Sequence, residues 1–426
     1  MRNTLFCLGV FALCGCPAGE AQPPSAPPTT TRAAPVAPVA PVVSASAKAP
    51  RPPPGLAKPV WLGAASYSSE LPVDVVIAGG TVIDGSGAAA ARGDVVIAGD
   101  KIVFVGKIDK VNAKRRIDAT GLVVTPGFVD THSHGDPGGS NAIALAQGVT
   151  TICIGQDGRT PGDGRIATLL AKHGGALALN VVPFAGHGTL RSLANIGLSK
   201  KPTAKHLAQL ESASRRDMEA GAFGVTTGLE YTPGRFATAA ELTAVARPVA
   251  AVGGLVMSHM RSEDDDKVDA AVDELLAQGR SAGARVHISH IKVVHAKGQA
   301  RAELLLDRLA KARKSGLQVS ADIYPYIASY TTIGIVFPDF AKPPHSYAEV
   351  RRTQHDKLAA YLRQRIGQRG GPKATLFGTG AWRGKTLADA AATRGKPFEE
   401  VLIRMGPRGA SAAYFVMDEA LQSRLL

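Results

Sequence analysis

Cysteine and aromatic residues are scarce in this chain of 426 residues. Three of its four cysteines lie within the first 16 residues, so no disulfide framework can hold the fold together. Aromatic residues make up only 5% and are not interleaved with lysine or arginine blocks, so the stacking surfaces of a nucleic-acid-binding protein are absent. The net charge of +14 therefore indicates solvated helix faces rather than a nucleic-acid partner.

The apolar stretch at the N-terminus, Leu5 to Leu13, is too short for a membrane span but has the length of a secretory signal. It ends in Leu13-Cys14-Gly15-Cys16, which resembles a bacterial lipoprotein signal. We therefore expect residues 1–16 to be a lipoprotein signal peptide, with lipidation at Cys16. The protein would then be exported and lipid-anchored to a membrane of the bacterial cell envelope. An ordinary signal peptide is the alternative.

The remaining chain divides into three segments by composition. Residues 17–60 are dominated by proline, alanine, serine and threonine, which predicts a disordered linker. Residues 61–121 contain short β-branched runs separated by glycine and aspartate turns, which predicts part of a small β-sandwich. Residues 122–426 alternate strand-like and helical segments, which predicts an α/β fold of parallel strands closed as a (β/α)8-type TIM barrel. Only seven strand-like runs are evident, at 122–130, 149–154, 179–184, 223–226, 254–258, 285–289 and 318–324.

Two histidines, His132 and His134, follow the first of these runs. Residues i and i+2 of a strand point to the same face, so the two imidazoles converge at one strand end. Imidazole nitrogens in this arrangement suit a divalent metal such as zinc. Reactive residues of a barrel lie at the carboxyl ends of its strands. Further candidates for metal ligands follow the later runs, namely Asp157, Glu230, His259 and His290.

Several motifs in a fixed order support this interpretation. They include Pro126-Gly-Phe-Val-Asp-Thr-His-Ser-His134, Thr227-Gly-Leu-Glu-Tyr231, Ser258-His-Met-Arg-Ser-Glu263, Ile288-Ser-His-Ile-Lys292 and Asp322-Ile-Tyr-Pro-Tyr326. The set resembles the amidohydrolase superfamily, and within it the D-aminoacylase (N-acyl-D-amino-acid deacylase) branch. The resemblance implies a metal-dependent barrel flanked by a small β-sandwich. It also implies hydrolysis of the amide bond of N-acyl-D-amino acids with one or two zinc ions.

The resemblance also implies roles for individual residues. His259 and His290 match the ligands of the tightly bound zinc, and His132 and His134 match those of a second, weaker metal. Asp157 stands where the family has a zinc-binding cysteine, and Glu230 is a further candidate ligand. Residues assigned to the small-molecule substrate are Lys292, which would meet its carboxylate, together with Tyr231, Tyr324 and Arg261.

One departure from the family pattern leaves alternatives open. The family's eighth strand carries an aspartate that moves the proton to the leaving amine, and this chain stops at Leu426 before such a strand. We therefore expect a C-terminally truncated barrel without a certain catalytic residue. The alternatives to a deacylase are a catalytically dead lipoprotein and a cyclic amidase of the dihydroorotase or hydantoinase type. Among the histidines outside the predicted set, His187 either positions a loop or binds metal, and His287 is predicted to face the helix layer.

Overall fold

A computed structural model describes residues 67–135, 141–173 and 177–426. The predicted signal peptide with Cys16 and the predicted linker lie outside these residues. The strands are β1 Tyr67–Val82, β2 Ala91–Ala98, β3 Lys101–Gly106, β4 Ile108–Asp118, β5 Val123–Val124, β6 Phe128–Asp130, β7 Val149–Ile154, β8 Asn180–Pro183, β9 Ala185–Gly186, β10 Gly224–Gly228, β11 Leu255–His259, β12 Arg285–Ile288, β13 Val319–Ala321, β14 Ala328–Thr332, β15 Thr375–Phe377 and β16 Ser411–Phe415. The helices are α1 Asn141–Ala146, α2 Ile166–His173, α3 His187–Leu193, α4 Ala204–Glu219, α5 Ala239–Ala251, α6 Val268–Ala282, α7 Gln299–Lys314, α8 Tyr347–Thr353, α9 His355–Gln368, α10 Leu387–Arg394, α11 Phe398–Met405 and α12 Glu419–Leu425.

The first four strands form a small sheet in the order β3-β2-β1-β4. Its core contains Val73, Val76, Val96 and Phe104, as the β-branched runs predict. The fifth strand, β5, pairs in parallel with β1 and so belongs to this sheet rather than to the barrel. The run predicted as one strand over 122–130 is thus divided. Pro126 lies at the division, and its missing N–H prevents it from donating to a strand ladder.

The barrel strands run in parallel in the predicted order. The strands β6, β7 and β8 form one sheet, and β9 to β13 form the next in chain order. Only Phe184 separates β8 from β9, and its N–H donates to the carbonyl of Ile154 in β7, so β8 and β9 together are the third strand of the series. All seven predicted strands are therefore present. Within the described residues no strand pairs with the outer edge of β6 or of β13.

The helices α4 to α7 cover the outside of these strands. Thr203 and Thr238 cap α4 and α5 by accepting a backbone N–H in the first turn. Val286 and Ile288 of β12 are buried in the apolar core that these helices share with the strands. None of the helices in the described ranges is both long and apolar enough to cross a membrane.

A second compact layer follows the seventh barrel strand. It consists of the antiparallel sheet β14-β16-β15 and the helices α8 to α11. Its own apolar core includes Phe337, Leu358, Leu402 and Tyr414. The sequence did not predict this layer, because its strands are short and no regular alternation of strand and helix marks them. Its importance is positional, since residues of β14 and Arg369, directly after α9, border the cavity described next.

Candidate metal centre

One cavity of about 370 Å³ collects the predicted metal ligands at the carboxyl ends of the strands. His132 and His134 come directly after β6, Asp157 follows β7, and Glu230 follows β10. His259 is the last residue of β11 and His290 lies two residues beyond β12. All six side chains line the cavity, although they come from five different strands.

Asp157 lies at the centre of this group. Its Oδ1 atom is 3.5 Å from His132 Nε2 and 3.7 Å from both His259 Nδ1 and His290 Nε2. Its Oδ2 atom is 3.2 Å from His134 Nε2. The buried Oδ1 nevertheless has no hydrogen-bond partner, although it is surrounded by imidazole nitrogens. A buried carboxylate oxygen without a hydrogen-bond partner is available to bind a metal ion.

The nitrogen atoms of neighbouring histidines also face one another. His259 Nδ1 is 3.0 Å from His290 Nε2, and His132 Nε2 is 3.3 Å from His134 Nε2. Zinc–nitrogen bonds of about 2.0–2.1 Å in tetrahedral geometry place ligand atoms about 3.4 Å apart. Three triads of ligand atoms lie within 4.8 Å of one another: His132, His134 and Asp157; Asp157, His259 and His290; Glu230, His259 and Glu263. The donor set therefore fits zinc.

The two histidine pairs differ in exposure. The side chain of His134 is 64% exposed, whereas that of His259 is 4% exposed. Solvent competes with an exposed ligand, and burial excludes it. The pair His259 and His290 is therefore the better-enclosed half of the centre, and His132 and His134 form the open half.

Charges in the cavity shift the pKa values of its members. Burial would raise the pKa of Asp157, but His134, His259 and His290 overcome that effect and hold it well below its ordinary value. Burial lowers the pKa of His132 to about 4. Burial and Lys292 act against the charged form of His290, yet Glu263 and Asp157 raise its pKa to about 9.

The backbone at two of these residues is strained. Asp157 has φ of 54° and His290 has φ of 40°, a region that side chains other than glycine seldom adopt. Gly228 packs closely against Asp157 in this conformation. No larger residue fits there, because a Cβ atom at Gly228 would lie 2.1 Å from the carbonyl oxygen of Asp157. Sharp turns after β7 and β12 therefore aim both side chains into the cavity.

Of the residues assigned to the substrate, Tyr231, Tyr324 and Lys292 line the cavity. The hydroxyl of Tyr231 is 3.1 Å from the hydroxyl of Thr331 in β14. Burial raises the pKa values of both tyrosines, so their hydroxyls stay protonated. Lys292 is buried, and its Nζ lies 2.5 Å from Glu263 Oε1, so its charge is already paired.

Arg261 does not line this cavity, in contrast to the prediction. Its guanidinium donates to both carboxylate oxygens of Glu274 at 2.9 and 2.8 Å and to two backbone carbonyls. Glu274 belongs to α6, so the side chain turns outward and connects a loop to a helix. The motif identifies the residue but does not indicate this direction, which depends on a partner in a later helix.

Two carboxylates of the site were not among the predicted residues. Glu263 lies 2.9 Å from His290 Nδ1, and Asp322 lies 2.9 Å from His287 Nε2. Asp322 also accepts the backbone N–H of His290 and lies 3.9 Å from His132 Nδ1. The sequence signal for Asp322 is its position in the last part of the seventh predicted strand, and Glu263 ends the motif Ser258-His-Met-Arg-Ser-Glu263.

His187 and His287, which lie outside the predicted set, have structural partners. His287 contacts Ser320 and Asp322 on the neighbouring strand rather than the helix layer. The prediction was wrong because it counted strand parity from His290, which lies beyond the end of β12 at a positive φ. His187 is fully buried against Glu241 at 2.8 Å, so it anchors the start of α3. Cys153 is buried within β7, as expected of a small apolar side chain.

Comparison with known proteins identifies the relatives of this chain. No family model matches it. It is 35% identical over 374 residues to N-acyl-D-glutamate deacylase of Alcaligenes xylosoxydans xylosoxydans, a match that covers 82% of the chain and 70% of the relative. It is 32% identical to the D-aminoacylase of the same organism, with 85% and 74% covered.

A solved structure gives the same result. The N-acyl-D-glutamate deacylase of Bordetella bronchiseptica, in complex with zinc and a phosphonate mimic of the tetrahedral intermediate, superposes with a TM-score of 0.68 at 30% identity. The superposition covers 83% of this chain and 74% of that one. The sequence relatives and this structural neighbour agree over more than four fifths of the chain, and so the chain belongs to the D-aminoacylase (N-acyl-D-amino-acid deacylase) branch of the amidohydrolase superfamily.

Proposed function

We propose that this protein is a zinc-dependent hydrolase that removes the acyl group from N-acyl-D-amino acids. The observation that carries the proposal is the convergence of four imidazoles on Asp157, three of them on its unpartnered, buried Oδ1 atom and the fourth on Oδ2. Such a site serves metal-assisted hydrolysis, and it lies in a cavity large enough for a small acylated amino acid.

The residues divide naturally between two metal positions. His259 and His290, with Asp157, would hold the enclosed ion, and His132 and His134 would share Asp157 with a second, more exposed ion. Glu230, whose Oε2 is 3.2 Å from His259 Nε2, is the candidate additional ligand. A zinc ion held there supplies a Lewis acid that activates water near neutral pH and polarises an amide carbonyl.

The chain's own residues would orient the substrate against that centre. The ring of Tyr231 lies beside the ring of His259, with 4.5 Å between the ring centres, and the protonated Tyr231 hydroxyl can donate to the substrate. Asp322 fixes the direction of His287 and the backbone of His290, so it acts as a positioning residue. The aromatic side chains of Tyr324 and Tyr326 stack on each other at one side of the cavity.

The test is removal and return of the metal with matched substrates. Purified protein stripped by a chelator is expected to lose hydrolysis of N-acetyl-D-methionine, and zinc is expected to restore it. The L enantiomer serves as the control for chirality. Zinc retention with a folded circular dichroism spectrum but no release of free amine would instead favour the non-catalytic alternative. Ring opening of a hydantoin in place of deacylation would favour a cyclic amidase. Glu230 argues against that alternative, because the pattern of those enzymes has a carboxylated lysine at this position.

We also propose that the protein is exported and anchored to a membrane by a lipid on Cys16. The support is the sequence alone: an apolar stretch of signal-peptide length ends at Leu13-Cys14-Gly15-Cys16, and a proline-rich segment follows it. Labelling of the expressed protein with a radioactive fatty acid tests this. Wild-type protein is expected to carry the label and sediment with membranes, whereas C16S is expected to do neither.

A further inference from the structure

Arg369 is a buried arginine that lines the same cavity from the opposite layer. It lies at the C-terminal end of α9, and only 2% of its surface is exposed. The centre of its guanidinium lies 4.8 Å from the ring centre of Tyr414 in β16, which is itself fully buried. This packing fixes the direction of the side chain, because a guanidinium plane stacks favourably on an aromatic face.

The charge of Arg369 is incompletely balanced. The nearest carboxylate is Asp264, and the distance from Arg369 Nη1 to its Oδ1 is 3.8 Å, too long for a hydrogen bond. Asp264 is instead held by Arg365 at 2.8 and 3.1 Å. Two guanidinium groups thus share one carboxylate. The buried Nε of Arg369 has no hydrogen-bond partner.

Lys292 provides the contrast. Apart from histidines, Lys292 and Arg369 are the basic side chains that line the cavity in the described part of the chain. Lys292 Nζ is 2.5 Å from Glu263, so this cation is neutralised by a contact of its own. A buried guanidinium with an unused donor is costly unless a ligand completes it. The cation available to an anionic group is therefore Arg369.

We propose that Arg369 binds a carboxylate of the substrate and thereby determines which acylated amino acids enter the site. The inference rests on the proposed deacylase function. A planar guanidinium with parallel N–H donors matches a carboxylate in a two-point contact. The carboxylate has two sources in an acylated amino acid: the α-carboxylate, or the side chain of an acidic residue. Both present the same chemistry to Arg369.

Three substrates separate these sources. N-acetyl-D-glutamate carries both carboxylates, N-acetyl-D-glutamine only the α-carboxylate, and N-acetyl-D-isoglutamine only the side-chain carboxylate. Loss of a charge-assisted two-point contact is expected to lower kcat/KM by roughly ten- to a hundredfold, mainly through KM. If Arg369 binds the α-carboxylate, R369M is expected to show this fall in kcat/KM with N-acetyl-D-glutamine but not with N-acetyl-D-isoglutamine. If it binds the side chain, the reverse holds.

Two further variants control for charge and folding. R369K keeps the positive charge and most of the aliphatic side chain but removes the planar guanidinium. It is therefore expected to retain only part of the wild-type preference among the three substrates. R365M removes a neighbouring guanidinium that contacts the same Asp264 but does not line the cavity, so it reports the effect of losing nearby charge. Zinc content is measured for each variant to confirm an intact metal centre.

The outcomes are decisive in both directions. If zinc-loaded R369M and R369K keep the wild-type ranking of the three substrates within about twofold, the proposal for Arg369 is overturned. If wild-type protein hydrolyses neither the three substrates nor N-acetyl-D-methionine, the deacylase function fails, and calorimetry with glutarate then decides the role of Arg369 without turnover. Weaker glutarate binding by R369M than by R365M would support the role, whereas equal binding would overturn it.

Discussion

The buried cluster around Glu241 yields the sharpest quantitative prediction of this structure. Glu241, in the first turn of α5, is fully buried and receives Arg191 Nη1 at 2.7 and 2.5 Å on its two oxygens. Its Oε1 is also 2.8 Å from His187 Nε2. Both partners are as inaccessible as Glu241 itself. The variant E241Q keeps the side-chain volume but leaves the Arg191 guanidinium without a counter-charge in the core.

The expected cost follows from this burial. Removal of one partner of a buried ion pair destabilises a protein by about 3–5 kcal/mol, because the remaining charge is uncompensated. At about 2–4 °C per kcal/mol for a large domain, Tm should fall by roughly 6–20 °C. Urea and thermal unfolding, followed by circular dichroism, measure the effect. The matched control is E303Q, which also removes the carboxylate partner of an arginine, Arg424, but at an exposed position. It is expected to cost less than about 1 kcal/mol. Equal losses in the two variants would refute the reasoning.

The remaining predictions concern the metal centre and the pH dependence of folding. Because His259 takes part in two of the three ligand triads, H259A is expected to weaken zinc binding more than about a hundredfold, measured by chelator competition. A Cβ atom at Gly228 would meet the carbonyl carbon of Asp157 at 2.7 Å, so G228A is expected to displace that ligand and weaken zinc binding about tenfold in a folded protein. Burial raises the pKa of Asp217 from 3.8 to about 6, so the folded protein loses stability as pH rises between these values. At pH 7, D217N should therefore be more stable than wild type, by at most about 3 kcal/mol in urea unfolding.

Each of these predictions has a matched comparison. H173A removes a histidine outside the centre and should leave zinc affinity unchanged. G367A adds a methyl group where no atom lies within 4 Å, so it should leave the metal site intact. The stability of D217N relative to wild type should vanish below about pH 4, where the wild-type carboxyl is protonated in both states. A difference that persists there would contradict the assigned cause.

Much of the barrel could be predicted because its strands leave a strong signal. Each is a short β-branched or apolar run, and each is followed by a turn and a helical segment with apolar residues at regular spacing. The layer formed by β14 to β16 and α8 to α11 gives no such signal. Its strand β15 has only three residues, and β14 pairs with β16 across about 80 intervening residues, a distance over which local patterns carry no information.

The sequence could predict which side chains gather at the cavity, but not which partners hold them there. Strand ends identified His132, His134, Asp157, His259 and His290, since reactive side chains gather at one rim of a barrel. What local sequence does not contain is the direction of a side chain after its strand has ended. Arg261 turns away because Glu274, 13 positions later, captures it. Arg369, which follows α9, points toward the cavity because its guanidinium packs on the ring of Tyr414 in β16.

The position of Asp157 shows why histidine spacing alone is an incomplete guide to such a centre. Asp157 holds the site together because its two oxygens contact nitrogens from three different strand ends. Its reach depends on a backbone turn at φ of 54°, and that turn fits only because Gly228 brings β10 against the carbonyl of Asp157. Gly228 is also the strand partner of His259, so one close contact sets the carboxylate and a histidine in register. The geometry of this candidate metal centre thus depends on Gly228 as well as on the candidate ligands.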